Sequence, residues 1–84
     1  MLKIIKLGRR IKLVWDFRGP DSAEIAKHHA IHLKEYAEKE KLDYHSIDIS
    51  DFSDMYHAAY IVVNEDDMIM VRDSLKPHRG EVSK

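Results

Sequence analysis

The chain contains no cysteine, and that absence removes disulfides, thiolate metal sites and a cysteine nucleophile together. It also fits a reducing, cytoplasmic setting. Long hydrophobic runs are missing too: the longest uninterrupted apolar stretch covers residues 58–63, far below the about 18 residues that suggest a membrane span. Residues 1–7 are broken by Lys3 and Lys6, so they lack the apolar core of a leader peptide. Glycine and proline are scarce, at three and two. The glycines stand alone, which excludes a glycine-rich phosphate loop. No charge of one sign dominates: 14 Lys and Arg face 15 Asp and Glu, a net charge of −1. Bulk electrostatics therefore draws the chain to neither nucleic acid nor a membrane surface.

What is present is globular composition, 44% apolar and 35% charged, over 84 residues. That length predicts one domain spanning residues 1–84. A domain so small buries only about 60–65% of the surface its unfolded chain exposes, so a second copy would add useful core. Charge is uneven along the chain. Lys3, Lys6, Arg9, Arg10 and Lys12 are the only charges in the first twelve residues, whereas Asp48, Asp51, Asp54, Glu65, Asp66 and Asp67 are acidic. Six histidines make the charge responsive near pH 6.5.

The periodicity predicts an α+β fold: a four- or five-stranded mixed sheet with one long helix on one face, in the order β-β-α-β-β-β. Residues 2–7 are apolar-rich and, with a turn at Gly8 and Arg9, suggest the first arm of a hairpin. Residues 10–18 alternate, with Ile11, Leu13, Trp15 and Phe17 on one face and Arg10, Lys12, Asp16 and Arg18 on the other. Gly19 and Pro20 stop this strand, and Asp21 with Glu24 reads as a capping box opening a helix over residues 22–41. Ala23, Ala26, Ala30, Leu33 and Ala37 form its apolar stripe, flanked by His29 and Tyr36. Further strands are expected at residues 45–50, 56–63 and 68–72, with loops at 51–54 and 64–67 and an irregular tail over 76–84. A right-handed crossover would make the strands flanking the helix run parallel. One helix covers one sheet face, so Val14, Tyr60 and Val62 are expected to leave apolar surface on the other and to favour a homodimer.

This topology gathers the turn after Phe17, the helix N-terminus, the loop at 51–54 and the tail at one edge of the domain. Beyond strand carboxyl ends is where ligands of open α/β sheets bind. Arg18, Lys76, His78 and Arg79, with Asp16 orienting a cation, are candidates to clamp a carboxylate or phosphate there. Ordinary ion pairs among the same residues are the competing reading. On the helix, His28 and His32 are four residues apart with Glu35 a turn away, a spacing compatible with zinc or another divalent ion. No Glu follows His28 to complete the metalloprotease pattern. None of the serines has the glycine-flanked elbow of an activated nucleophile, and His57 has no identifiable partner in the sequence.

The segments Trp15, Asp16, Phe17, Arg18, Gly19, Pro20; His28, His29, Ala30, Ile31, His32, Leu33; and Lys76, Pro77, His78, Arg79, Gly80, Glu81 together resemble a group of small uncharacterised bacterial proteins. The resemblance spans most of residues 11–81. It implies a bacterial, cytoplasmic setting and assigns no activity to any residue. From the residues themselves the leading expectation is a homodimeric, non-enzymatic binding module without a cofactor, recognising an anionic small molecule or an acidic partner. The alternatives are a small enzyme using His78 as general acid or base beside Asp16, and a nucleic-acid module built on the basic residues 3–12.

Overall fold

The computed structural model describes residues 9–83. The strand expected at residues 2–7, and its hairpin, lie outside the described residues. Strand β1 (Arg10–Arg18) leads into helix α1 (Ser22–Lys39), followed by β2 (Tyr44–Ser53), β3 (Tyr56–Asn64), helix α2 (Glu65–Leu75) and β4 (Arg79–Ser83). The strands form one sheet in the order β2-β3-β1-β4, and every neighbouring pair is antiparallel. The fold is α+β, but the sheet is not mixed and a second helix replaces the strand expected at 68–72.

The two strands flanking α1 run parallel, as expected, with a third strand between them. β1 and β2 do point the same way, yet β3 runs between them and pairs with both. In the same manner β3 and β4 share a direction with β1 between them. These two interleaved split β-α-β units are the ferredoxin-like arrangement. Trp15 pairs with Ala59 and Leu13 with Ile61, so the odd-numbered residues of both central strands share one face. Both helices lie on that face. Ile11, Leu13, Trp15, Ala59, Ile61 and Val63 meet Ala26, Leu33 and Ala37 of α1 and Val71 of α2 in a single core.

Helix α1 buries the stripe its alanines predicted, with Ala26, Leu33 and Ala37 inside and Ala30 and Tyr36 packed at the margin. The capping box does not form: Asp21 makes no side-chain bond to the first turn. Its backbone carbonyl instead accepts from Ile25 N–H at 3.0 Å, and Gly19 O accepts from Ser22 N–H at 3.1 Å. The helix ends two residues earlier than expected because Lys41 turns left-handed (φ 53°). Leu42 N–H then reaches back to Ala37 O at 2.8 Å and Lys41 N–H to Glu38 O at 3.3 Å, a Schellman closure that drops Leu42 into the core.

Helix α2 exists because Glu65, Asp66 and Asp67 complement the exposed N–H groups of a first turn, with Asn64 as N-cap. Met68, Val71 and Leu75 then recur at helical spacing and pack on the core, while Ile69 and Met70 face water. The Trp15 indole N–H donates to Leu75 O at 2.9 Å, anchoring the end of α2 over β1. Residues 79–83 of the expected irregular tail form β4. Gly80 lies opposite Leu13, where a Cβ would stand 3.3 Å from the leucine Cδ2.

On the sheet's other face Val14 is 1% exposed and Val62 6%, so among the described residues these two leave no bare apolar patch there. Long side chains lie across this face instead: Lys12 places its ammonium 4.2 Å from the centroid of the Tyr60 ring. No helix among the described residues is long and apolar enough to cross a membrane.

A strand and a helix over residues 68–72 make opposite demands on Ile69 and Val71, which a strand would place on one face. In the observed helix Val71→Ala should lower stability by about 1–3 kcal/mol. Ile69→Ala should change it by less than about 0.5 kcal/mol. Urea denaturation of the two variants tests this, and similar losses in both would contradict the helix.

Candidate functional site

The carboxyl ends of β1 and β2, the N-terminus of α1 and the start of the tail do meet at one end of the sheet. Gly19 N–H donates to Met55 O in the β2–β3 turn at 2.7 Å, and His78 N–H donates to Val14 O at 2.9 Å. Gly19 adopts φ 119°, a backbone conformation that disfavours any side chain, and so permits the sharp exit from β1. The loop expected over residues 51–54 shrinks to Asp54 and Met55, since β2 continues to Ser53.

Asp16 is the centre of this region. Arg79 donates to it through two nitrogens, Nε to Oδ2 at 2.9 Å and Nη2 to Oδ1 at 3.1 Å, and the Tyr56 hydroxyl donates to Oδ1 at 2.6 Å. The third guanidinium nitrogen of Arg79, Nη1, pairs with Glu81. Each guanidinium nitrogen of Arg79 thus faces a carboxylate of its own chain, which leaves Arg18 as the arginine of the expected clamp without an ion pair among the described residues. The guanidinium bonds hold the Asp16 carboxyl below the usual aspartate range, opposed by burial and helped by Tyr56. Conversely, the bond to Asp16 raises the Tyr56 phenol and does the same for the Arg79 guanidinium.

His78 serves the backbone of Asp16 and not its carboxylate. Its Nδ1 accepts from Asp16 N–H at 2.8 Å, standing in for the carbonyl of a longer β4. This bond requires the ring's proton to sit on Nε2. The dyad expected of a His78 general base beside Asp16 is therefore not assembled in this arrangement. Lys76 occupies the left-handed C-cap of α2 with its side chain exposed.

Arg18 differs from Arg79. Its guanidinium carbon lies 3.9 Å from the centroid of the Tyr56 ring, and it makes no ion pair among the described residues. Tyr56 also stacks on Phe52, centroids 4.5 Å apart and planes inclined by 26°. A register irregularity between Asp51 and Ser53 accompanies this placement of Phe52. Phe52 is 52% exposed, so guanidinium and two rings share one open surface, and Met55, 53% exposed, lies in the adjoining β2–β3 turn. Tyr56, Phe52 and Met55 were not singled out by sequence reasoning. The cross-strand pairing of Arg18 with Tyr56, which brings them together, depends on a register only the fold supplies.

A second constellation was also hidden. Ser22, 0% exposed in the first turn of α1, shares a 2.6 Å hydrogen bond with Nδ1 of buried His57, whose Nε2 lies 3.5 Å from Asp51 Oδ1. Serine, histidine and aspartate in series resemble a nucleophilic triad, but a serine without access to solvent meets no substrate. The series instead fastens the start of α1 to β3. His29 lies against Trp15 and Phe17, ring centroids 4.8 and 5.5 Å away, and its buried Nε2 has no hydrogen-bond partner among the described residues. Burial, reinforced by His32 and His78, favours its neutral form.

His28 and His32 lie on the exposed side of α1, ring centroids 4.5 Å apart. Glu35 bonds to His32 Nδ1 at 3.0 Å. Among the described residues no group of three or more His, Asp or Glu side chains is placed to hold a metal ion. Of the basic N-terminal stretch, Arg9 pairs with Glu65 at 2.6 Å and Lys12 lies over Tyr60, while Lys3 and Lys6 fall outside the described residues. No cavity is present among the described residues.

Asp16 gains its native partners only on folding, so its depressed pKa stabilises the native state above the ordinary aspartate value of about 3.9. That contribution is lost as the pH falls from there through the native value. Wild type should therefore weaken more steeply than Asp16→Asn in urea titrations between pH 6 and 2, and parallel curves would contradict the coupling. At neutral pH Ser22→Ala should cost about 1–3 kcal/mol by leaving His57 Nδ1 buried and unpaired, and an unchanged urea midpoint would remove its fastening role. No family model, curated protein or solved structure matches this chain.

Proposed function

We propose that this chain is a non-enzymatic interaction module that docks an acidic segment of a partner protein on the surface formed by Arg18, Tyr56, Phe52 and Met55. The observation that carries the reading is the state of Arg18. A guanidinium resting on a tyrosine ring is held in place by the ring, with its N–H edge free to receive a carboxylate. Much of the ordering cost of a flexible arginine is already met before binding.

The neighbouring groups favour a peptide over a small anion. Phe52 and Met55 offer exposed apolar area beside the cation, so a segment combining Asp or Glu with a Leu or Phe meets complementary chemistry along a few residues. The surface is open and lacks an enclosing wall, which suits a chain laid across it. Arg79 and Asp16 contribute beneath this surface by holding the Tyr56 hydroxyl, and therefore the ring on which Arg18 rests. The cysteine-free composition suits a partner in a reducing, cytoplasmic compartment.

The test is a panel of short synthetic peptides carrying Glu and Leu in varied order, titrated by fluorescence anisotropy at low and high salt. Arg18→Ala should weaken binding about tenfold or more and alter stability by less than about 1 kcal/mol. Phe52→Ala should weaken it too, with little salt dependence. Binding that is unaffected by Arg18→Ala, or absent at millimolar peptide, overturns the reading.

A further inference from the structure

The exposed side of α1 carries a pair of histidines that the docking surface does not use. His28 and His32 are one turn apart, and their rings approach to 4.5 Å between centroids with planes nearly perpendicular at 84°. Two imidazoles that bind one zinc ion through nitrogens at about 2.0–2.1 Å, at a tetrahedral angle, have centroids roughly 5 Å apart. The pair is close to that spacing without a change in the helix.

Glu35 supplies the second observation. Its Oε1 lies 3.0 Å from His32 Nδ1, and a carboxylate accepting from Nδ1–H fixes the tautomer whose free lone pair is on Nε2. This is the outer-shell arrangement by which metal-binding histidines are oriented. Glu35 is therefore a positioning residue and not the third ligand that its spacing suggested. Within one chain the ligand count stops at two. The described residues place no third His, Asp or Glu there, and residues 1–8 contain none of these types.

We propose that His28 and His32 form half of a zinc site that is completed by the same two residues of a second copy of this chain. Two such pairs across a two-fold axis supply the four nitrogen ligands a closed zinc site takes. The surroundings suit that occupant. Ile25 and Ile31, each one turn from His28, are exposed large apolar residues on α1, and apposition of two α1 helices removes both from water. The assembly thus gives the homodimer a basis in α1, where the sheet face supplies none.

The experiment uses the untagged chain at micromolar concentration with zinc sulfate, followed by sedimentation velocity and by metal analysis of the gel-filtered protein. Zinc should convert a 9.9 kDa species into one of twice that mass, with one zinc per two chains, and EDTA should reverse it. His28→Ala and His32→Ala should each remain at the lower mass in zinc while keeping the wild-type circular dichroism spectrum. Glu35→Gln should fold normally and need about 10–100 times more zinc. One zinc per chain without a change of mass, doubling that persists in either histidine variant, or no retained zinc each overturns the proposal. Arg18→Ala should leave the zinc response intact, so this outcome is separable from that of peptide docking.

Discussion

Asp16 joins three segments that are distant in sequence. Its carboxylate takes Arg79 from β4 and the Tyr56 hydroxyl from β3, while its backbone N–H takes the His78 ring from the approach to β4. Each bond serves a different end. The His78 contact extends the short ladder between β1 and β4 by one step, the Arg79 contact pins β4 from the open side, and the Tyr56 contact fixes the ring under Arg18. Removing the carboxylate would therefore act on the sheet edge and on the exposed surface together. This is why a group buried within a hydrogen-bond network, and not touching solvent-borne partners itself, sets the geometry of those that do.

Much of this end of the molecule was legible from residues alone, though through an imperfect topology. Strict alternation in residues 10–18 gave β1 and its inward face, and the alanine stripe gave α1. The convergence of Asp16, His78 and Arg79 followed from strand direction, which survives the insertion of β3 because insertion leaves β1 and β2 pointing the same way. What could not be read were facts of register and partner choice. Whether Arg79 meets a ligand or Asp16 depends on Val14 lying opposite Arg79, and no local pattern encodes that pairing. Helix α2 was mistaken for a strand because Asn, Glu and Asp residues suit both a turn and a helix start. The spacing of Met68, Val71 and Leu75 held the deciding signal. The Ser22 and His57 pair needed both the inward parity of β3 and the seat of the first turn of α1.

The two edges of the sheet are guarded by different means. On β2 the Asp48 carboxylate accepts from the adjacent Ile49 N–H at 2.8 Å, so a donor along that edge is occupied by its own strand. Asp51 adds a second negative charge, and register irregularities interrupt the strand's pairing near both ends. An edge with such features is a poor template for another strand. β4 protects the opposite side by brevity, with five residues, and by the charged Arg79 and Glu81 on it. Both edges therefore disfavour strand pairing with another chain.

The interleaving of the two split β-α-β units also divides the sheet's contacts into local and long-range ones. The β2–β3 hairpin closes across two residues and can form from local chain alone. β1 gains its partners only after the chain has looped back twice, once to β3 and once to β4, so its contacts carry most of the loop-closure entropy. The bonds between Asp16 and Arg79 close a span of 63 residues. The same ion pair that shapes the surface thus also ties the short outer strand β4 to the central strand β1, closing a long loop of the chain with a side-chain contact.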